Sequence, residues 1–139
     1  MLVSPYISKE EYACKCCGKL PPDFSLVEHG PYWELFKNFE RIREAWGQPI
    51  VINSGYRCIP YNQRVGGEPN SIHTFGLALD LECKNSFDVD ALYAIIEEIN
   101  PDLRIGRYKK AATFIHIDMA WMIHPKASLS WRKGARWTG

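Results

Sequence analysis

A histidine and an aspartate that could act together stand in the segment SIHTFGLALDLE, at His73 and Asp80. Asp80 interrupts an otherwise apolar run that includes Leu79 and Leu81. An ionised carboxylate in a buried strand is costly unless a cation or a metal ion offsets its charge. The segment therefore predicts a positively charged partner for Asp80.

A second segment, TFIHIDM, adds another histidine and another carboxylate, His116 and Asp118. Alternate side chains of a strand point to the same face, so His116 shares a face with Asp118, and Asp80 shares one with Glu82. With His73 in the turn before the first strand, we expect His73, Asp80 and His116 to converge. Two neutral imidazoles and one carboxylate suit Zn²⁺ and leave a fourth position for water, which such a metal acidifies.

A salt bridge is the alternative role for Asp80. Its partner would be Arg57 or Arg64, and the histidines would then be ordinary surface or core residues. The spacing is not the H-E-x-x-H pattern of a helical zinc site, so residue types alone leave both readings open.

The chain has five cysteines, which could be free thiols, form a disulfide or bind a structural metal. An odd number argues against a complete disulfide framework. The segment CKCCG could supply half of a structural zinc site, completed by Cys58 or Cys83, but the chain lacks the two paired C-x-x-C motifs of such sites. We expect free thiols first, a Cys14–Cys58 disulfide second and structural zinc third. The five residues are Cys14, Cys16, Cys17, Cys58 and Cys83.

Length and composition predict one domain over residues 1–139, with a basic, tryptophan-rich tail at 120–139. Hydrophobic residues make up 46% of the chain, which is enough for a real core. The formal net charge of +1 argues against bulk electrostatic binding to nucleic acid. No apolar run is long enough to span a bilayer, and we expect a monomer that does not bind membranes.

The amino terminus, MLVSPYISKEEY, has no charged segment followed by an apolar stretch, so no signal peptide is expected. A cytoplasmic protein is then expected as the product of synthesis. If it acts on the cell wall, it must be released by another route, as a phage-type lysin or a virion component is.

Capping signals and periodicity predict three helices. Ser8 and Glu11 fit a capping box ahead of a short helix that ends near Gly18. Residues 31–46 form the strongest predicted helix, with an apolar stripe at helical spacing. Asp88 is expected to cap the third helix, which is ended by a proline at position 101.

Apolar or alternating runs predict strands at 49–53, 77–82, 103–108 and 113–120. Residues 54–71 are expected to form a long structured loop, and such loops in small domains are often functional. Helices come first and are followed by strands around one helix, which favours an α+β fold over a doubly wound sheet.

Three ordered motifs, VINSGYRCIPYNQRVGG, NSIHTFGLALDL and FIHIDM, resemble the zinc D-alanyl-D-alanine carboxypeptidases and the related phage endolysin peptidases. The segment ISKEEYACKCCG resembles the amino-terminal part of that family's smaller members, so the likeness runs from Ile7 to Met119. It implies a small α+β domain shared with hedgehog signalling domains, in which an antiparallel sheet with flanking helices holds one zinc ion. The implied activity is hydrolysis of peptide bonds in the stem peptides of bacterial peptidoglycan, as a D-Ala-D-Ala carboxypeptidase or an endolysin-type endopeptidase.

The resemblance makes His73, Asp80 and His116 the zinc ligands. Arg57 matches an arginine that binds a substrate carboxylate or steadies the developing oxyanion, tasks for which a guanidinium is suited. A structural salt bridge to a loop carboxylate is its second reading. Ser71 and Asn62 match two further polar positions of the family. We expect them to order the loop, and contact with substrate is the alternative role.

The general base is where the chain departs from the family pattern. Several relatives carry an acid three residues before the last zinc histidine, where this chain has Thr113. Asp118 is the best substitute because it shares a strand face with His116; its alternative role is to orient the metal-bound imidazole. Glu82 is a weaker candidate by the same face argument. The rival function is a catalytically weak zinc-containing binding module or virion structural part, as the hedgehog relatives suggest.

The remaining histidines, His29 and His124, are expected at the surface, with a place beside the zinc site as the second reading for His124. Three tryptophans are expected to pack in the core or to dock the tail. An aromatic shelf for glycan or peptide is their second reading, and they are Trp121, Trp131 and Trp137.

Overall fold

A computed structural model of the chain describes residues 2–123 and 128–139, and the prediction for His124 lies outside them. Helices and short strands combine in an α+β arrangement, which confirms the predicted fold class. Two 3₁₀ turns lie at Ile72–Phe75 and Ala120–Met122. The other elements are β1 (Leu2–Ser4), β2 (Ile7–Ser8), α1 (Lys9–Tyr12), α2 (Pro31–Trp46), β3 (Ile52–Ser54), α3 (Ile59–Arg64), β4 (Ala78–Glu82), α4 (Ser86–Ile99), β5 (Arg104–Tyr108), β6 (Phe114–Asp118) and β7 (Arg136–Thr138).

The central sheet has five strands in the order β3-β4-β6-β5-β7. β4 pairs antiparallel with β3 and with β6, and β5 pairs antiparallel with β6. β7 lies parallel to β5 at the edge. The sheet is therefore antiparallel over four strands, as the family resemblance implies, and its parallel edge strand comes from the tail, where the sequence predicted no element.

The core lies on one face of this sheet, where alternate residues of β4 and β6 pack with side chains of α2 and α4. Burying one such side chain contributes about 1.5–3 kcal/mol because its apolar surface leaves water. The opposite face of the same two strands carries the polar residues Asp80, His116 and Asp118. The buried core side chains include Leu79, Leu81, Ile115 and Ile117 from the strands and Leu35, Phe39, Leu92 and Ile96 from the helices.

The capping box at Ser8 and Glu11 is confirmed, because each residue's side chain accepts a hydrogen bond from the other's backbone amide. The helix that it starts is shorter than predicted. α1 ends at Tyr12 instead of near Gly18, because Ala13 adopts an extended conformation and the chain then turns through the cysteine segment.

The second helix, Pro31–Trp46, is confirmed at both ends. The predicted cap at Asp88 is wrong: Asn85 is the capping residue, and its side chain accepts from the Asp88 amide at 2.9 Å. The predicted loop over 54–71 contains a short helix, α3, which the sequence did not predict because the segment lacks strong apolar periodicity. None of the described helices has the length and apolar character needed to cross a membrane.

Candidate metal centre

Three side chains converge on the polar face of the sheet. Asp80 on β4 is directly paired with His116 on β6, so strand register brings these two together. The 3₁₀ turn that precedes β4 adds His73. One nitrogen or oxygen from each of the three residues lies within 4.8 Å of the other two.

The buried imidazole of His73 presents a lone pair to this point. Its Nδ1 lies 2.6 Å from the carbonyl oxygen of Gly55, which can only accept, so Nδ1 carries the ring proton. Its Nε2 makes no hydrogen bond and lies 3.1 Å from Asp80 Oδ1. Burial lowers the pKa of His73 more than the nearby Asp80 raises it, so the ring is neutral at neutral pH.

His116 presents its other ring nitrogen. Its Nε2 lies 2.7 Å from Asp118 Oδ2, and its Nδ1 lies 2.9 Å from Asp80 Oδ1. In the neutral ring, a proton on Nε2 is donated to Asp118 and leaves the Nδ1 lone pair facing Asp80. Burial by itself lowers the pKa of His116, but Asp118 and Asp80 outweigh burial and raise the pKa to about 9.

When both rings are neutral, three acceptor atoms face one another, and a bound metal cation would satisfy all three. Burial raises the pKa of Asp80, but the hydrogen bond and the charge of His116 hold the pKa well below its usual range, so the group is a carboxylate. Two imidazole nitrogens and one carboxylate oxygen are ligands that zinc prefers, and three protein ligands leave one position open. The orphaned Nε2 of His73 shows that the residues present fit a zinc ion.

The converging residues lie in an open cleft of about 410 Å³, a size typical of sites for small ligands. Its walls combine charged groups with aromatic rings. Besides the three converging residues, the lining includes Arg57, Glu68, Ser71, Arg104, Tyr108, Phe114, Asp118, Trp131 and Trp137.

Comparison with known proteins shows which family carries these residues. The family model of peptidase M15 matches residues 6–118, a range that includes all three converging residues. The chain belongs to the peptidase M15 family. Over 50 residues it is also 42% identical to a zinc D-Ala-D-Ala carboxypeptidase of Streptomyces albus G. That match covers 35% of this M15 chain and 18% of the relative, far less than two thirds of the relative's length.

Membership of the M15 family confirms the resemblance predicted from the sequence motifs. Together with the donor set, it indicates zinc as the metal, in agreement with the predicted cofactor. The assignment of the individual ligands, His73, Asp80 and His116, stays a prediction that the geometry supports.

Arg57 lies at the side of the cleft in this M15 chain, held by three hydrogen bonds. Nε donates to Ser54 Oγ at 3.0 Å, Nη1 to Asn62 Oδ1 at 3.1 Å and Nη2 to Asp80 Oδ2 at 3.5 Å. The salt bridge between Arg57 and Asp80, which was the alternative role for Asp80, is thus present beside the converging histidines. The other suggested partner, Arg64, instead contacts Cys16.

The two polar loop residues make the contacts of ordering residues. Asn62 is buried, accepts from Arg57 and donates through Nδ2 to the carbonyl oxygen of Glu68 at 2.8 Å. Ser71 caps the 3₁₀ turn, because its hydroxyl accepts from the backbone amide of His73 at 3.3 Å. Both residues therefore position neighbours that line the cleft.

Asp118 lies on the far side of His116 from Asp80 and is completely buried. Its Oδ1 accepts from Arg104 Nε at 2.7 Å and from the Ala120 amide at 3.0 Å, and its Oδ2 faces His116. Burial raises the pKa of Asp118, but His116 and Arg104 outweigh burial and keep the pKa below its usual value. The geometry favours the orienting role over the role of general base.

Thr113, at the position where several relatives carry an acid, and Glu82, the weaker candidate for the general base, lie outside the cleft. Thr113 Oγ1 donates to the carbonyl oxygen of Cys83 at 2.7 Å, and Thr113 is absent from the lining of the cleft. Glu82 is exposed in a separate depression that Thr113 and Cys83 also line. The structure therefore does not support Glu82 as a base, because β4 has run past the cleft by this position.

Sequence reasoning missed the contribution of β5. Arg104 pairs in register with Asp118, and Gly106 pairs with His116. Gly106 leaves room for the indole of Trp137, whose Nε1 would lie 2.4 Å from a β-carbon at that position and donates to Tyr108 Oη at 2.7 Å. An arginine alternating with apolar residues in LRIGRY was the available signal, since a charge in a buried strand needs a partner.

Proposed function

We propose that this chain hydrolyses peptide bonds in the stem peptides of bacterial peptidoglycan, with zinc as its cofactor. The observation that supports this best is the convergence of ligand atoms from His73, Asp80 and His116, which a metal cation would satisfy together once His116 is neutral. A zinc ion at this point supplies a Lewis acid, which acidifies water and polarises a carbonyl group. The single negative charge among these ligands preserves that acidity.

Asp118 is proposed to act as a positioning residue. Its carboxylate accepts the Nε2 proton of His116 and thereby keeps Nδ1 free to bind a metal. Arg104 and the Ala120 amide occupy its other oxygen, so Asp118 has little capacity left to take a proton from water.

Glu68 is our candidate for the proton acceptor. Three acidic residues line the cleft within the described ranges, and Asp80 and Asp118 are both engaged with histidine. Glu68 is exposed at the rim, and its backbone is held by Asn62. A carboxylate there can accept a proton from the attacking water and return it to the leaving amine.

Arg57 is proposed to bind a substrate carboxylate or the oxyanion that develops at the cleaved carbonyl. A guanidinium has five N–H donors, and three of them are used by Ser54, Asn62 and Asp80. Two donors remain, enough for the paired hydrogen bonds that a carboxylate accepts. The three internal bonds keep the group in place before substrate arrives.

The bond we propose is the terminal D-alanyl-D-alanine bond of the stem peptide. Two observations support it: the name of the relative from Streptomyces albus G, and an arginine placed to receive a free carboxylate. Cleavage between L-alanine and D-glutamate by an endopeptidase is the other pattern that the products would reveal.

Digestion of purified peptidoglycan, followed by mass spectrometry of the muropeptides, tests this function. The wild-type protein should shorten stem peptides by one D-alanine, and a chelated sample and His116→Ala should not. Cleavage after L-alanine would replace the carboxypeptidase assignment with an endopeptidase. Identical muropeptides from the wild type and His116→Ala would refute hydrolysis and favour a binding module.

The role of Glu68 is tested in the same assay. Glu68→Gln should lower kcat by about 10²–10⁴-fold, the range expected for loss of a general base, with zinc content unchanged. The matched control is Glu44→Gln, on the exposed side of α2, which should behave like the wild type. Full turnover by Glu68→Gln would remove this residue from the mechanism.

A further inference from the structure

A second group of possible ligands lies outside the cleft. The sulfur atoms of Cys14, Cys17 and Cys58 all lie within 4.8 Å of one another, and none of these residues lines the cleft. We propose that these three thiolates bind a second zinc ion, which ties the amino-terminal segment to the loop that carries Arg57.

The distances fit a metal site better than a disulfide. Cys14 Sγ lies 3.5 Å from Cys58 Sγ. Sulfurs that share a tetrahedral zinc ion at about 2.3 Å stand about 3.8 Å apart, whereas bonded sulfurs stand about 2.05 Å apart. A zinc ion would therefore need only small shifts of the side chains. All five cysteines are unpaired in the structure.

The backbone of the CKCCG segment is shaped for such a site. Cys14 and Cys17 have the C-x-x-C spacing of many zinc sites, and Gly18 follows in a left-handed conformation at φ +69°. The chain folds back on itself, because the Gly18 amide donates to the Cys14 carbonyl at 2.8 Å and the Cys14 amide donates to the Lys19 carbonyl at 3.0 Å. The turn presents the two sulfurs side by side.

Backbone amides stabilise the thiolate form of Cys14, which is the form that binds metal. The Cys58 amide lies 3.4 Å from Cys14 Sγ, and the amides of Cys16 and Cys17 also donate to this sulfur. Burial by itself raises the pKa of the Cys14 thiol, but these donors outweigh it and lower the pKa to about 7. At neutral pH this sulfur is ready to bind a cation.

The third sulfur comes from a distant part of the chain. Cys58 immediately precedes α3, and its sulfur faces Cys14 Sγ at 3.5 Å. The two segments are already joined nearby, because the Tyr56 amide donates to the Tyr12 carbonyl at 2.7 Å. Since Arg57 is the residue directly before Cys58, a metal bound to Cys58 would hold the backbone that presents Arg57 to the cleft.

Charge and ligand type favour zinc at this site. Three thiolates around Zn²⁺ leave a net negative charge, and Arg64 beside Cys16 and Lys15 in the turn lie close enough to offset it. Soft sulfur ligands select zinc over the hard cations Mg²⁺ and Ca²⁺. The described residues offer no fourth ligand in the group, and the exposed position of Cys17 leaves the fourth place to solvent.

Metal stoichiometry tests the second site separately from the first. The wild-type protein, purified without chelator, should contain two zinc ions per chain by elemental analysis. Cys14→Ser and His116→Ala should each contain one, and a variant that combines both changes should contain none. The control is Cys83→Ser, a buried cysteine outside the group, which should keep two.

Cobalt substitution gives a readout that does not depend on activity. Cobalt-loaded wild type and His116→Ala should both show thiolate-to-cobalt charge-transfer absorption, and Cys58→Ser should lose it. If Cys14→Ser folds poorly, the exposed Cys17→Ser serves instead, and it should also speed amide hydrogen exchange in residues 13–18 and 56–64. One zinc per wild-type chain without this absorption, or a Cys14–Cys58 disulfide in the purified protein, would overturn the proposal, while hydrolysis by the first site would stand.

Discussion

Replacing Asp118 with asparagine should move the ring proton of His116 from Nε2 to Nδ1. Two donors, Arg104 Nε and the Ala120 amide, point at Asp118 Oδ1. In Asp118→Asn the amide oxygen must take that position, so its NH₂ group faces His116 Nε2. That nitrogen must then accept, and the proton moves to Nδ1, the atom that we propose binds zinc.

The expected loss can be estimated from the site. Losing the partner that orients a metal-bound histidine typically weakens metal affinity by about 10–100-fold, which corresponds to about 1.4–2.7 kcal/mol of binding free energy. Asparagine is the right replacement, because Asp118→Ala would leave the buried Arg104 without its partner and cost about 3–5 kcal/mol of folding free energy.

Competition with a chromophoric chelator measures the zinc affinity of Asp118→Asn, and muropeptide release at saturating zinc measures its turnover. We expect weaker zinc binding, with turnover partly recovered when zinc is in excess. The control is Asp102→Asn, at an exposed aspartate remote from His116 in the chain. Unchanged zinc affinity with turnover abolished would refute the orienting role and restore Asp118 as the base.

Three further predictions concern the same cleft. The pKa of His116 is raised from 6.5 to about 9 in the metal-free protein, so zinc binding at neutral pH should release a proton, and zinc affinity should rise with pH until about 9. Calorimetry in buffers of different ionisation enthalpy measures the number of protons released. Zinc binding without proton release would contradict this prediction. By the same shift, the metal-free protein should lose stability as pH rises through 9. Arg57→Ala should lower kcat by about 10²–10³-fold with zinc content unchanged, and Arg57→Lys should not restore it. The exposed Arg41→Ala is the control, and wild-type kinetics of Arg57→Ala would exclude a contact with the reacting groups.

Strand alternation was sufficient to predict the polar face of the sheet. It placed Asp80 opposite to the apolar face of Leu79 and Leu81 on β4 and His116 with Asp118 on one face of β6, and the structure has the same faces. The rule works because the side-chain period of a strand is two residues whatever the strand packs against. The prediction of the α4 cap was wrong because Asn85 and Asp88 are both good capping residues, and local sequence does not rank them.

Contacts between distant segments were beyond the reach of sequence patterns. Arg104 and Asp118 form a buried pair because β5 and β6 are neighbours in one particular register. The return of β7 to the edge of the sheet brings Trp137 beside the ring of His116, with centroids 5.4 Å apart. Spacing along the chain carries no information about either approach.

By itself, the sequence determined the chemistry that is available: a histidine and an aspartate on strand faces, a second histidine in a turn, an arginine in the loop, and cysteines at C-x-x-C spacing. Its motifs also pointed to the peptidase family. Only the tertiary structure decided which nitrogen of each histidine faces Asp80, that Asp118 lies behind His116, and that Cys58 meets the amino-terminal turn. The physical reason is that side-chain period is a local property of the backbone, whereas proton positions and ligand sets depend on which groups from distant segments lie within hydrogen-bonding distance.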